Sequence, residues 1–150
     1  MSTLCVVPCG HSKIWDDKPD AGPTPARLVY TGQFAATCRE YAERFYSSAW
    51  CILSAKFGFL LPEDQVPGPY NVTFNDPSTH PISVSDLMLQ VPCKGLDRYD
   101  TVVVIAGAIY ASMVVKCFPK ARVRCPLDGL KGMGYMLQAL RRALREGRPL

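Results

Sequence analysis

Asp100-Thr-Val-Val-Val-Ile-Ala-Gly-Ala-Ile-Tyr-Ala-Ser-Met-Val-Val115 decides the fold. Thr101 to Ile105 are all β-branched, a stiff side-chain type that packs well on a pleated surface. The run is continuously apolar rather than alternating, so it reads as a strand buried on both faces. Gly107 then breaks the pattern, and Ala108 to Cys117 follows with helical character until Phe118-Pro119 stops it. Gly107, Tyr110 and Ser112 interrupt the apolar run. It falls short of the roughly 18–20 residues a membrane-spanning helix needs.

The same alternation extends outward in both directions. Leu4-Cys-Val-Val-Pro8 reads as a short buried strand ending at Cys9-Gly10, and Ser12 to Pro25 as a polar, Pro-rich loop. Thr31 is a candidate cap for a helix carrying Phe34, Cys38, Tyr41, Ala42 and Phe45 at helical spacing. Trp50-Cys-Ile-Leu-Ser54 is a second buried strand. The Gly- and Pro-rich stretch from Lys56 to Asn75 is loop-like, with an extended piece at Phe57–Leu61. A short helix runs from Ser83 or Ser85 towards Gln90, stopped by Pro92. Beyond the central run, Ala121-Arg-Val-Arg-Cys125 is a fourth strand. Gly132 and Gly134 lead into a helix over about 131–147, with Met133, Met136, Leu137, Leu140, Ala143 and Leu144 on one face.

The expected architecture is therefore α/β: a single three-layer domain over residues 1–150. About four mostly parallel strands lie between helices on both faces. A length of 150 residues suits one such domain. A hydrophobic share of 48%, a charged share of 20% and a mean hydropathy of +0.03 exclude wholesale disorder. The seven cysteines form no CxxC pair and the two histidines stand far apart, so neither a zinc site nor any other cofactor is implied. Reduced cysteines and an N-terminus without a basic n-region point to the cytoplasm. Charge is uneven. Residues 120–150 carry eight basic and two acidic side chains, whereas the preceding residues carry nine and eleven. A basic end on a near-neutral body suits a polyanionic partner, with a solvated helix face as the plainer alternative.

In parallel sheets ligands bind outside the carboxyl ends of the strands. That rule selects three loops: Cys9–Lys13, Ser54–Gly58 and Pro126–Gly134. In the first, Gly10 permits a sharp turn that brings Cys9, His11, Ser12 and Lys13 together. Cys9 is either a nucleophile or a small buried hydrophobe, Lys13 an anion binder, and His11 a proton carrier. Arg27 and Tyr30 precede a helix start, where they can hold an anion, unless Arg27 pairs with a nearby aspartate. Ser54 and Lys56 share a strand end. Tyr70 can stack a base, and Asn71 can read its edge or orient a water. Glycines with Lys131 and Gly132 at a helix start suit a phosphate, and Asp128 is the best-placed single carboxylate. Arg141, Arg142 and Arg145 on the last helix suit a nucleic-acid backbone.

Cys9-Gly10 with Lys13, Pro25-Ala-Arg-Leu-Val-Tyr-Thr-Gly32 with Phe34, and Leu53-Ser-Ala-Lys-Phe-Gly58 with Pro62 and Pro69-Tyr70 form a spaced series. It resembles a small bacterial and phage domain family of unknown function, over about residues 4 to 140. More distantly the chain is similar to the YaaA peroxide-stress family, through an LSG-x-YG…P…PY segment. It is also similar to the core domain of archaeosine synthase, through Pro8-Cys9 and Lys13; Ile14-Trp15 departs from the PYS of that motif. These likenesses imply a uracil-DNA-glycosylase-like fold and a nucleobase-handling function, although no GQDPYH motif is present.

The leading expectation is an enzyme that recognises a nucleobase, a modified one, in nucleic acid and acts at the N-glycosidic bond or a base substituent. Asp128 or Asn71 would steady developing charge or position water, and Lys13 or His11 would assist the leaving base. Two alternatives stand beside it: a non-catalytic nucleic-acid-binding protein, and a small-molecule or base-modifying transferase using Cys9 or Lys13 covalently. The expected partner is nucleic acid, DNA rather than RNA, or a free nucleobase or nucleoside, bound by a monomer or small homo-oligomer away from membranes.

Overall fold

The computed structural model describes residues 2–150. Strand β1 (Thr3–Pro8) runs into the short helix α1 (Ile14–Asp17), strand β2 (Thr24–Pro25), and helices α2 (Ala26–Val29) and α3 (Gln33–Tyr46). Strands β3 (Trp50–Ser54), β4 (Gly58–Leu60) and β5 (Gln65–Val66) follow, then helix α4 (Val84–Cys93). Strand β6 (Thr101–Val104), helix α5 (Ala108–Cys117), strand β7 (Arg122–Arg124) and helix α6 (Met133–Glu146) complete the chain.

The main sheet has the spatial order β4-β3-β1-β6-β7. β1 is its centre, pairing in parallel with β3 (Cys5 beside Trp50) and with β6 (Cys5 beside Val103). β7 continues the parallel set and β4 closes the other edge antiparallel to β3. β2 and β5 form a separate two-stranded antiparallel ribbon.

Side chains alternate across the sheet as the pleat requires. Cys5, Val7, Ile52 and Val103 face α3 and α6, where Cys38, Tyr41, Ala42, Leu140 and Ala143 cover them. Leu4, Val6, Leu53, Val102 and Val104 face α4 and α5, against Leu87, Val91, Val114 and Phe118. Both faces of β1 are thus excluded from water, which is why its sequence shows no polar alternation. Each such aliphatic side chain contributes about 1.5–3 kcal/mol relative to exposure.

The expected α/β architecture with a mostly parallel sheet between helical layers is present, with five strands rather than four. The extra strand, β4, falls within the extended piece expected at Phe57–Leu61. Gly58 makes its tight entry from β3 possible, at φ +78°. Other local expectations are corrected. The Ser12–Pro25 stretch is not loop throughout: it contains α1 and β2, anchored by buried Trp15, whose indole N–H donates to the Gly22 carbonyl at 2.8 Å. Helix α3 is capped by Gly32 rather than Thr31, with no side-chain cap. Pro92 lies inside α4, which runs to Cys93; a proline in the final turn removes one backbone bond without stopping the helix. Gly10 does not supply a left-handed turn, since its φ is not positive; instead α3 passes close, and a Cβ there would meet Ala35 Cβ at 3.4 Å.

Candidate functional site

The chain leaves β1 towards α3 on one face of the sheet and leaves β6 towards α5 on the other. Two adjacent parallel strands whose following connections diverge leave a crevice between their carboxyl ends, the switch point at which doubly wound sheets bind ligands. A cavity of about 420 Å³ occupies that position. Such volumes are typical of small-molecule sites, about 300–1,000 Å³. Pro8, Cys9, Gly10, His11 and Lys13 wall it from the β1 side, and Gly107, Ala108, Ile109 and Tyr110 from the β6 side. Asn71, Val72, Thr73 and Asn75 close one flank, while Phe34, Met133 and Met136 supply apolar surface from α3 and α6.

Cys9 and Tyr110 meet across the switch point, Sγ to Oη at 3.3 Å. Burial pushes the Tyr110 phenol well above its ordinary range, so it stays protonated. Tyr110 is also held edge-on against Phe74, with ring centroids 5.5 Å apart.

Lys13 is the only charged side chain buried among the described residues, 5% exposed. Its backbone is fixed twice over. Its N–H donates to Asp16 Oδ2 at 2.8 Å and its carbonyl accepts from the Asp16 N–H at 2.9 Å, and a bridge pairs it with Tyr30. Its Nζ donates to the His11 carbonyl at 3.0 Å and lies 4.5 Å from the Tyr70 ring centroid. Burial lowers its pKa, while Cys9 and Asp16 pull the other way.

Behind Lys13 stands a buried hydroxyl cluster. The Tyr30 and Tyr70 hydroxyls are hydrogen-bonded, and Ser54 Oγ lies 2.9 Å from Tyr70 Oη. Ser54 Oγ accepts the backbone N–H groups of Phe57, at 3.1 Å, and Lys56, at 3.3 Å. With both lone pairs occupied, the Ser54 hydroxyl proton is directed at Tyr70. Burial raises the pKa of both phenols.

The structure thus brings Cys9, Gly10, His11, Lys13 and Asn71 to one cavity, with Tyr30, Ser54 and Tyr70 packed behind it. The other candidates are placed differently. Tyr70 is not on the cavity wall: its ring packs on Phe57, centroids 5.3 Å apart, and its hydroxyl points into the cluster, so Phe34 and Tyr110 are the aromatics that face a ligand. Lys56 is exposed, with Nζ 5.7 Å from the centroid of the same Tyr70 ring. Ser12 is exposed and contributes its carbonyl to the Thr31 N–H at 3.1 Å. Arg27 is paired, with Glu63 at 2.7 Å rather than an aspartate, and lies off the cavity wall. Asp128 lines an adjoining depression of about 70 Å³ that shares Gly107, Ala108 and Met136 with the cavity. Among the described residues no carboxylate lines the cavity itself. Lys131 and Gly132 are exposed ahead of α6, Gly132 at φ +101°. Arg141, Arg142 and Arg145 are exposed and without ion-pair partners among the described residues. They lie about 12–18 Å along the helix from Met133.

The Gly107–Tyr110 wall was not among the expected loops. Its signal was the strand order, which places β6 beside β1 and which no local pattern encodes. A second cleft of about 470 Å³ includes Tyr99, Asp100, Phe118 and Lys120 at the amino ends of the strands, away from all the residues above. Among the described residues no three His, Cys, Asp or Glu side chains gather to hold a metal, and no helix is long and apolar enough to cross a membrane.

Fold and cavity together define a doubly wound α/β domain with a switch-point pocket. The chain belongs to a family of unknown function, DUF6884, whose model matches residues 4–142. It is 42% identical over 147 residues to the uncharacterized protein YfjM of Bacillus subtilis (strain 168), covering 97% of each chain. No solved structure matches it.

Proposed function

We propose that the protein is an enzyme that takes a nucleobase of nucleic acid, a modified one, into the switch-point cavity and acts at its N-glycosidic bond or on a base substituent. One observation carries this reading: a rigidly held, buried lysine without a carboxylate partner among the described residues, in the wall of a cavity of small-ligand size. A buried titratable group with a shifted pKa in a cleft is a candidate for chemistry. Phe34 and Tyr110 offer stacking surfaces and Asn71 an edge-reading amide. Three exposed arginines of α6 begin about 12 Å along the helix from Met133 and are free to meet phosphates. The proposed uracil-DNA-glycosylase-like fold is supported by the four parallel strands, whose spatial order is 2-1-3-4 when counted along the chain.

With no carboxylate on the wall among the described residues, the groups available for chemistry are the Lys13 amine, the Cys9 thiol, the Tyr110 phenol, the His11 imidazole and the Asn71 amide. Lys13 can bear on an electrophilic carbon or a departing base, and Asn71 can hold the base edge. DNA is the proposed polymer and the cytoplasm the proposed location.

The test is mass spectrometry of small molecules and altered nucleosides released from a panel of modified DNA and RNA. Wild type is run beside Lys13→Arg and Asp128→Asn. Release or alteration of a base by wild type, retained in Asp128→Asn, supports the reading. A gel shift with no product anywhere on the panel overturns it in favour of a binding protein.

A further inference from the structure

Removing an ammonium from water without a facing carboxylate disfavours its charged form and lowers its pKa. Lys13 has been removed from water, and no carboxylate oxygen stands within ion-pair distance of its Nζ among the described residues. Its polar partner is one carbonyl, that of His11. Burial lowers the Lys13 pKa against the opposing pull of Cys9 and of Asp16 on its own turn. Desolvation in an apolar wall is one device by which enzymes make a lysine amine nucleophilic. The Asp16 reciprocal bonds and the Tyr30 bridge fix the backbone that carries this amine in the cavity wall.

We infer that Lys13 is the covalent nucleophile of the cavity, forming a Schiff base with C1′ of the nucleotide whose base is released. The inference rests on the nucleobase reading above and specifies its chemistry. The Nζ lone pair attacks C1′. The C1′–N bond breaks, its electron pair departs with the base, and the base takes the proton that Nζ gives up. The C1′–O4′ bond then opens as the nitrogen lone pair forms C1′=N; O4′ takes a proton from solvent, leaving a protonated imine. Water adds to the imine carbon, and the amine is restored while the sugar leaves as the ring-opened aldehyde. No oxidant or reductant enters, and no carboxylate is required at the oxocarbenium position.

The experiment uses the full chain with an oligonucleotide carrying one abasic site, in the presence of sodium cyanoborohydride. This probe presents the sugar aldehyde directly, so it interrogates the amine without requiring base release. The expected result is a reduced covalent adduct whose peptide contains Lys13, falling about tenfold or more in Lys13→Arg, which keeps the charge and loses the nucleophile. With reductant in excess, so that imine formation limits, the trapping rate should rise with pH about a midpoint below the ordinary lysine value of 10.5. Lys13→Met, of similar length, serves as a second variant, and circular dichroism of both variants separates loss of reaction from loss of fold. No adduct, or an adduct at other lysines that persists in Lys13→Arg, overturns the inference. Base release from the panel that persists in Lys13→Arg also overturns it while leaving the nucleobase reading standing. Trapping at Lys13 with no base released anywhere supports the nucleophile and overturns the base-release chemistry.

Discussion

Cys9 Sγ stands 3.3 Å from Tyr110 Oη, joining residues 101 apart in the chain across the switch point of the sheet. The contact ties the loop after β1 to the start of α5 and fixes the width of the cavity between them. Tyr110→Phe removes the hydroxyl and keeps the ring against Phe74. We expect it to lower stability by about 0.5–1.5 kcal/mol in urea denaturation, the net worth of one hydrogen bond.

The phenols of Tyr30, Tyr70 and Tyr110 all have raised pKa values, burial being the first cause in each. Above the ordinary tyrosine value of 10.0 the unfolded chain releases these protons while the folded chain keeps them. The native state then binds more protons, so stability falls as pH rises past that point. Lys13 acts in the opposite sense: its lowered pKa makes the unfolded chain bind more protons below 10.5, so its contribution grows with rising pH until that value. Denaturation midpoints measured from pH 9 upward should therefore decline more gently in Tyr110→Phe than in wild type.

Tyr70 Oη is the hub between Ser54 and Tyr30. Tyr70→Phe leaves two buried hydroxyls short of a partner, with an expected loss of about 1–3 kcal/mol. A double-mutant cycle with Tyr30→Phe should show coupling of about 0.5 kcal/mol or more, since both substitutions interrupt one network. Additive losses would mean that the cluster is not cooperative.

Gly58 begins β4 at φ +78°, and a Cβ there would lie 2.2 Å from Gln90 Oε1. That Gln90 amide accepts the Phe59 N–H at 2.8 Å and donates to the Phe57 carbonyl at 2.9 Å, pinning the turn beneath Tyr70. Gly58→Ala should cost about 2–3 kcal/mol through backbone strain and a displaced Gln90. Thermal unfolding reads the loss directly.

Arg141, Arg142 and Arg145 lie away from the cavity and suit binding rather than chemistry. Under the proposed function, their replacement by alanine should weaken nucleic-acid binding uniformly across sequences. It should also reduce the slope of log affinity against log salt by up to about 0.9 for each phosphate no longer neutralised. Fluorescence anisotropy over a salt series measures both, and turnover at saturating substrate should stay within about twofold.

The sequence by itself determined the types of the longer elements, because they depend on near neighbours, and missed the short pieces α1, β2, α2 and β5. Thr101–Val104 forms the strand its β-branched run predicts, and its lack of polar alternation already calls for cover on both faces. The carboxyl ends of β1 and β3, with Cys9, His11, Lys13 and Ser54, were legible for the same reason. Membership of a family of unknown function was legible too. Tertiary structure alone decided that β6 lies beside β1, so that Gly107–Tyr110 becomes a cavity wall and Asp128 falls into the neighbouring depression. Strand order is a choice among distant pairings of similar hydrophobic edges, settled by which helices cover which face, and no window of residues records it. The same holds for Lys13. Its residue type is local, but its burial is made by Tyr30 and Tyr70, brought in from two other segments of the chain.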